Sequence, residues 1–161
     1  MDKVLEKKNP WLDPQSLAPR LGSAYPAPFG DPLAGREKRA LGDALHLTQF
    51  GVNLVTLAPG SWSSQRHWHA NEDEFVYVLE GEVTLVTDAG EQTLRPGMAA
   101  GFPAGNADGH HLINRSEKLA LYLEVGTRAK TEEAHYSDID MIARKVERGF
   151  IFTRKNGEPY R

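Results

Sequence analysis

The chain has 161 residues, 25% of them charged, a formal net charge of −3 and no cysteine. That length suits one domain that buries about 70% of its unfolded surface, so no disulfide is required and none can form. The slight acidic excess, with Lys and Arg scattered along the chain, excludes the concentrated basic face that nucleic-acid binding needs. No run of about 18 apolar residues is available to cross a bilayer, and the charged opening MDKVLEKKNP carries no signal-peptide core. A cytoplasmic protein with no membrane or nucleic-acid partner is the expectation, and Asn114-Arg115-Ser116 then reads as an accidental glycosylation sequon.

Residues 1–44 read as a proline-rich arm. Six of the ten prolines fall between Asn9 and Pro32, each fixing φ and removing a donor, so no helix of useful length forms there. Trp11, Leu12, Leu17, Leu21, Tyr25 and Phe29 are interleaved with them. A purely solvated tail has no use for such residues, so the arm is expected to lie extended against the barrel or a partner subunit.

Residues 45–127 read as short strands between turn signals. Leu45–Leu57 is rich in β-branched and apolar residues and stops at Pro59-Gly60; Phe75–Leu79 turns at Glu80-Gly81-Glu82; Val83–Thr87 ends at Asp88-Ala89-Gly90. Gln92–Arg95 stops at Pro96-Gly97, and His110–Asn114 and Leu119–Val125 form a final pair. This punctuation predicts an all-β sandwich or barrel rather than βαβ units. Phe75-Val76-Tyr77-Val78-Leu79 is apolar on both faces of a strand. One face fills the interior; the other needs cover from the arm, the C-terminal segment or a second subunit, which predicts a homodimer. Residues 128–161 read as a segment packed on the barrel, with one short helix over Asp138–Lys145, an edge strand at Phe150-Ile151-Phe152 and no chemistry of its own.

The chemistry concentrates between Gly60 and Asn114. His67 and His69 are two apart in a predicted strand, so their imidazoles share a face. Glu74 opens the next strand, and a short turn brings its carboxylate back alongside them. Burying ionisable groups together is costly unless something pairs them, and a divalent cation supplies the pairing. Downstream, Gly97, Pro103 and Gly105 lead into His110-His111. Alternation puts His110, Leu112 and Asn114 on one face and His111 and Ile113 on the other, so only one of the two histidines looks inward, and His110 is the better choice. His111 is expected to face outward or line the barrel mouth, His46 and His135 to lie on the surface, Trp62 and Trp68 to pack or wall a pocket, and Arg66 to be solvated.

These two segments resemble the paired motifs of the cupin superfamily. Gly60, His67, His69, Glu74 and Gly81 follow its first pattern, with four residues between His69 and Glu74; Gly97, Pro103, Gly105, His110 and Asn114 follow its second. One extra residue separates Gly60 from His67. Four residues separate Gly105 from His110 where the family often has two, so on the shorter spacing Asp108 would take the ligand slot. The resemblance implies a double-stranded β-helix (jelly-roll) barrel, usually dimeric, holding one divalent transition metal (Fe, Mn, Co, Ni or Zn) on His67, His69, Glu74 and a fourth ligand, with His110 preferred over His111 or Asp108.

Four protein ligands leave an octahedral ion two adjacent positions, which suits a small substrate with neighbouring oxygens. The resulting expectation is a metal-dependent enzyme acting on a small oxygen-rich metabolite. It would be an isomerase of a sugar or sugar phosphate with Glu74 as candidate base, or alternatively an Fe- or Mn-dependent dioxygenase. A non-catalytic small-molecule sensor is the reading from another class. One fold hosts many activities, so the motifs do not choose among them.

Overall fold

The computed structural model describes residues 9–160; the charged start of the arm, residues 1–8, lies outside them. Thirteen strands follow in order: β1 (Arg20–Leu21), β2 (Arg36–Ala40), β3 (Phe50–Leu57), β4 (His67–His69), β5 (Glu74–Glu80), β6 (Val83–Thr87), β7 (Gly90–Leu94), β8 (Ala99–Phe102), β9 (His111–Ile113), β10 (Ala120–Thr127), β11 (Glu133–Tyr136), β12 (Ile142–Lys145) and β13 (Phe150–Thr153). One short helix, α1 (Leu41–Ala44), interrupts them. The architecture is the expected all-β jelly-roll barrel. No helix among the described residues is long and apolar enough to cross a membrane.

A six-stranded sheet in the order β1-β2-β3-β10-β5-β8 faces a three-stranded sheet, β7-β6-β9, and every pairing is antiparallel. The core lies between them. Val55, Leu57, Val76, Val78, Ala120 and Tyr122 of the large sheet meet Val83, Leu94 and Leu112 of the small one. Strand β5 shows the period-two logic in its plainest form, with Val76 and Val78 buried and Phe75, Tyr77 and Leu79 turned outward. Those three outward residues remain 43%, 38% and 37% exposed, so among the described residues neither the arm nor the C-terminal segment fully covers this face. Gly81 makes the β5–β6 turn possible: its φ is +67°, and a Cβ there would collide with the carbonyl oxygen of Leu119.

The arm joins this framework through β1 and β2, which extend the large sheet beyond β3. Its Tyr25 and Phe29 enter a second apolar cluster around Ala134, Tyr136, Met141 and Ala143. That cluster belongs to a third sheet, β13-β12-β11-β4, in which the C-terminal segment pairs with the strand carrying His67 and His69. Trp11 and Leu21 stay 70% exposed, so only part of the arm's apolar content is used within the chain.

Two sequence expectations fail for local reasons. Asp138–Lys145 forms no helix: Ile142–Lys145 is β12, hydrogen-bonded between β11 and β13. The inward residues there are Ile139, Met141 and Ala143, a spacing of two that serves a strand and not a helix. The strand expected from Leu45 begins instead at Phe50, because α1 and its C-terminal turn, with His46 at φ +60°, occupy the preceding residues.

Met141 is fully buried at the centre of the second cluster. Met141→Ala is expected to lower unfolding stability by about 2–5 kcal/mol, measured by urea denaturation, and so to show that the C-terminal segment is part of the cooperative fold.

Candidate metal centre

Strand β4 is held on both sides. β11 pairs with it through Tyr136↔His67 and Ala134↔His69, and an isolated bridge joins His67 to His110 at the start of β9. Residues 70–73 then return the chain so that Glu74 begins β5 beside the two imidazoles. His67 and His110 are 7% and 3% exposed, and the side chain of Glu74 is 13% exposed.

The four side chains meet around one carboxylate oxygen. His110 Nε2 lies 2.9 Å and His69 Nε2 3.1 Å from Glu74 Oε2, His67 Nε2 lies 3.0 Å from His69 Nε2, and His67 Nε2 is 3.9 Å from Glu74 Oε2. Donors around one transition-metal ion, each at about 2.0–2.2 Å, sit roughly 3 Å apart, so the His67, His69 and Glu74 spacings fit a shared cation, and His110 joins them through its contact with Glu74. The His67 tautomer points the same way. His67 Nδ1 is 2.8 Å from the carbonyl oxygen of Gln65, which can only accept, so the ring proton is on Nδ1 and Nε2 aims a bare lone pair into the cluster. The Nδ1 atoms of His69 and His110 are buried with no hydrogen-bond partner. That is the state expected when their single protons are drawn to Nε2 by Glu74.

Of the alternatives for the fourth position, His110 is the one brought to Glu74. Its ring is stacked on Phe102, with centroids 3.5 Å apart. His111, expected to face outward or line the barrel mouth, does not face outward: it is 5% exposed, with Nδ1 2.9 Å from the Ser64 carbonyl and its ring edge-on to Trp62. Both faces of this short strand are therefore buried. Asp108 stands on the wall of the adjoining cavity and accepts the amide of Asp88 at 2.7 Å. The cavity has a volume of about 350 Å³ and opens onto His69 and His110 between Trp68, Phe102 and Asp108.

Burial and mutual contact set the protonation states. Burial, then the neighbouring His69, pushes His67 down to about 3. Burial alone would raise Glu74, but the hydrogen bonds from His110 and His69 outweigh it and hold the carboxyl well below its usual range. His69 goes the other way: burial works against its charge, yet the hydrogen bond to Glu74 and the charges of Glu74, Glu132 and Glu72 raise it. The site thus gathers one carboxylate and three imidazoles, a nitrogen and anionic-oxygen donor set that suits a divalent transition ion.

Several contributors were not legible as site residues. Arg66, expected in solvent, has a side chain only 14% exposed; it makes a two-pronged bond to Asp138 with both contacts at 2.9 Å, pairs with Asp88, and donates to the Gly109 carbonyl next to His110. Those bonds, to Asp138 first and Asp88 second, raise its pKa further. His135, expected on the surface, is half-buried and stacked on Trp68 at 4.5 Å. Tyr136 lies over the His67 ring at 5.6 Å. All but Arg66 come from the C-terminal segment, where the sequence shows no motif.

A family model for the cupin domain matches residues 53–126. Among solved structures, a cupin-superfamily sugar phosphate isomerase from Silicibacter pomeroyi is 51% identical, with 93% of this chain and 96% of that chain covered and a TM-score of 0.90. The chain belongs to the cupin superfamily. A candidate sugar phosphate isomerase from Acidithiobacillus ferrooxidans matches this cupin at 28% identity, covering 75% of this chain and 77% of that one, with a TM-score of 0.70. The polyketide cyclase RemF from Streptomyces resistomycificus, at 19% identity and a TM-score of 0.57 over 73% of this chain and 78% of that one, shares the fold alone. A search of curated proteins finds no match.

The protonation pattern has a sign that can be measured. His67 titrates near 3 in the fold against a usual 6.5, so the unfolded chain binds the extra proton between those values and the metal-free cupin loses stability as pH falls through that window. Depression of Glu74 adds loss as pH falls below its usual 4.5, whereas elevation of His69 adds stability below 6.5 that fades as pH rises through its folded value. Denaturation midpoints of metal-free protein are expected to fall between about pH 6.5 and about pH 4, and His67→Gln is expected to shrink that fall.

Proposed function

We propose that this cupin is a metal-dependent isomerase of a small oxygen-rich metabolite, a sugar or sugar phosphate. The observation that carries the reading is the convergence of three imidazole nitrogens on Glu74 Oε2 beside a cavity of about 350 Å³ that His69 and His110 line, a size for a small metabolite. The 51% identity to a sugar phosphate isomerase of the same superfamily supports it. His67, His69, Glu74 and His110 would hold one divalent ion, Fe, Mn, Co, Ni or Zn. Bound there, the ion supplies Lewis-acid stabilisation of negative charge developing on substrate oxygens.

The chain's own groups divide the remaining work. Phe102 stacks on His110 and fixes its ring, so the imidazole is oriented before substrate arrives. Trp68 and Leu85 give the cavity apolar walls that exclude water, and Thr87, Asn106 and Asp108 give it groups that hydrogen-bond hydroxyls. Aldose–ketose exchange needs a base for the proton next to the carbonyl. Glu74 is one candidate, although its Oε2 is already engaged by His69 and His110. Asp108 on the cavity wall offers a second carboxylate, and comparing Asp108→Asn with Glu74→Gln separates the two roles.

The active species is a cytoplasmic homodimer in this reading. A second copy would cover the outer face of β5, where Phe75, Tyr77 and Leu79 stand open; the cysteine-free composition suits a reducing compartment.

The test is incubation in D₂O of protein reconstituted with each ion, across a panel of aldoses, ketoses and their phosphates. Deuterium is expected at the carbon beside the carbonyl. His67→Ala and Glu74→Ala are each expected to lower metal affinity and turnover at least about tenfold while the circular dichroism spectrum stays that of wild type. Oxygen consumption with no deuterium uptake would replace this reading with the dioxygenase. Ligand binding with neither would replace it with the sensor.

A further inference from the structure

The carboxylate of Glu132 is an unusual thing to bury. The residue is 3% exposed, and among the described residues no ion pair holds it. Its contacts are backbone amides: Oε1 accepts from Ala70 N at 2.9 Å and Asn71 N at 3.3 Å, and Oε2 accepts from Asn71 N at 3.1 Å. Those amides are the first two after His69, and the Ala70 amide also reaches the carbonyl of Glu133 at 2.9 Å. The turn between His69 and Glu74 is therefore pinned from the C-terminal segment, 62 residues away in the chain.

A second relation concerns the ring itself. A nitrogen of His69 lies within 4.8 Å of carboxylate oxygens of both Glu72 and Glu132. Glu72 is already neutralised, because its Oε1 accepts from Lys145 Nζ at 3.2 Å and from the Ala129 amide at 3.0 Å. Lys145 also donates to the Ala129 carbonyl at 2.7 Å, which fixes it there. Glu132 remains as the carboxylate beside His69 whose charge no cation cancels. The Nδ1 of His69 is buried and has no partner while Nε2 is turned to Glu74 and His67. If Nε2 gives its lone pair to an ion, the ring proton must move to Nδ1, and an anion behind a ligating imidazole favours that tautomer and strengthens the donor.

We propose that Glu132 is a positioning residue of the metal centre: it fixes the turn after His69 through the Ala70 and Asn71 amides and, by its charge, sets the tautomer and donor strength of the His69 ring. The inference rests on the metal reading of the site. It gives the C-terminal segment a role in the chemistry, through a residue outside the 53–126 stretch that the family model matches.

The experiment compares Glu132→Gln, which keeps acceptors for both amides and loses the charge, with Glu132→Ala, which loses both. Glu133→Gln, at a more exposed neighbour, is the control. Three quantities are read: the Co(II) dissociation constant by chelator competition, the melting temperature of metal-free protein, and the ¹⁵N spectrum of His69 in metal-free protein. Glu132→Gln is expected to melt within about 3 °C of wild type and to bind Co(II) about 10-fold or more weakly. Its His69 spectrum should show less of the Nδ1–H form than wild type, because the anion that favours that form is gone. Glu132→Ala is expected to lose both affinity and melting temperature, and Glu133→Gln neither. Unchanged affinity and an unchanged His69 spectrum in Glu132→Gln would overturn the proposal while leaving the metal reading intact. Wild-type protein that binds no Co(II), with a His69 spectrum that still shifts in Glu132→Gln, would overturn the metal reading and leave the positioning role standing.

Discussion

Glu74 Oε2 is where the constraints of this protein meet. Three imidazoles from two strands converge on one carboxylate oxygen inside a barrel, and each group would be costly to bury alone. They are tolerated together because the carboxylate accepts hydrogen bonds from His69 and His110 while His67 donates to the Gln65 carbonyl. Burial works against the charge on Glu74 and His69, and the local hydrogen bonds win in both cases. A site poised in this way has its donor atoms gathered at a common point before any ligand arrives, which is the preorganisation that metal sites and catalytic sites both require.

The rest of the fold can be understood as support for that point. The two facing sheets of the barrel fix β5 and β9, and with them Glu74 and the approach to His110. They do not fix β4. That strand belongs to the third sheet, built from the C-terminal segment and backed by Tyr25 and Phe29 of the arm. Arg66 ties the same region together from the other side, linking β4 to Asp138, Asp88 and the Gly109 carbonyl. The two ends of the chain thus close over the strand that carries two of the four site residues. A cupin motif alone, residues 53–126, would leave β4 without its β11 partner.

The outer surface of β5 expresses the same economy in reverse. Its inward residues Val76 and Val78 are 2% and 0% exposed, while Phe75, Tyr77 and Leu79 stay open. Interior packing accounts for half of that strand's apolar character, and the other half is the face that the proposed homodimer would cover.

Read along the chain, the local features were decisive wherever neighbours in sequence are also neighbours in space. The His67–His69 spacing put two rings on one face, and Gly81 marked a turn that only a residue with positive φ and no Cβ can make. The unbroken apolar run Phe75–Leu79 showed that both faces of this strand are apolar, and the fold then decided which face is inside. What only the tertiary structure decided involves groups far apart in the chain. Ala143 became strand because β11 and β13 offer it hydrogen bonds. His111 became buried because Ser64 and Trp62 close over it, and Arg66 left solvent because Asp138, 72 residues on, completes its pairing. Glu132 took up its place behind His69 because the Ala70 and Asn71 amides needed an acceptor that their own neighbourhood did not provide. Periodicity reports the face a residue occupies; which distant group waits on that face is settled only when the sheets close.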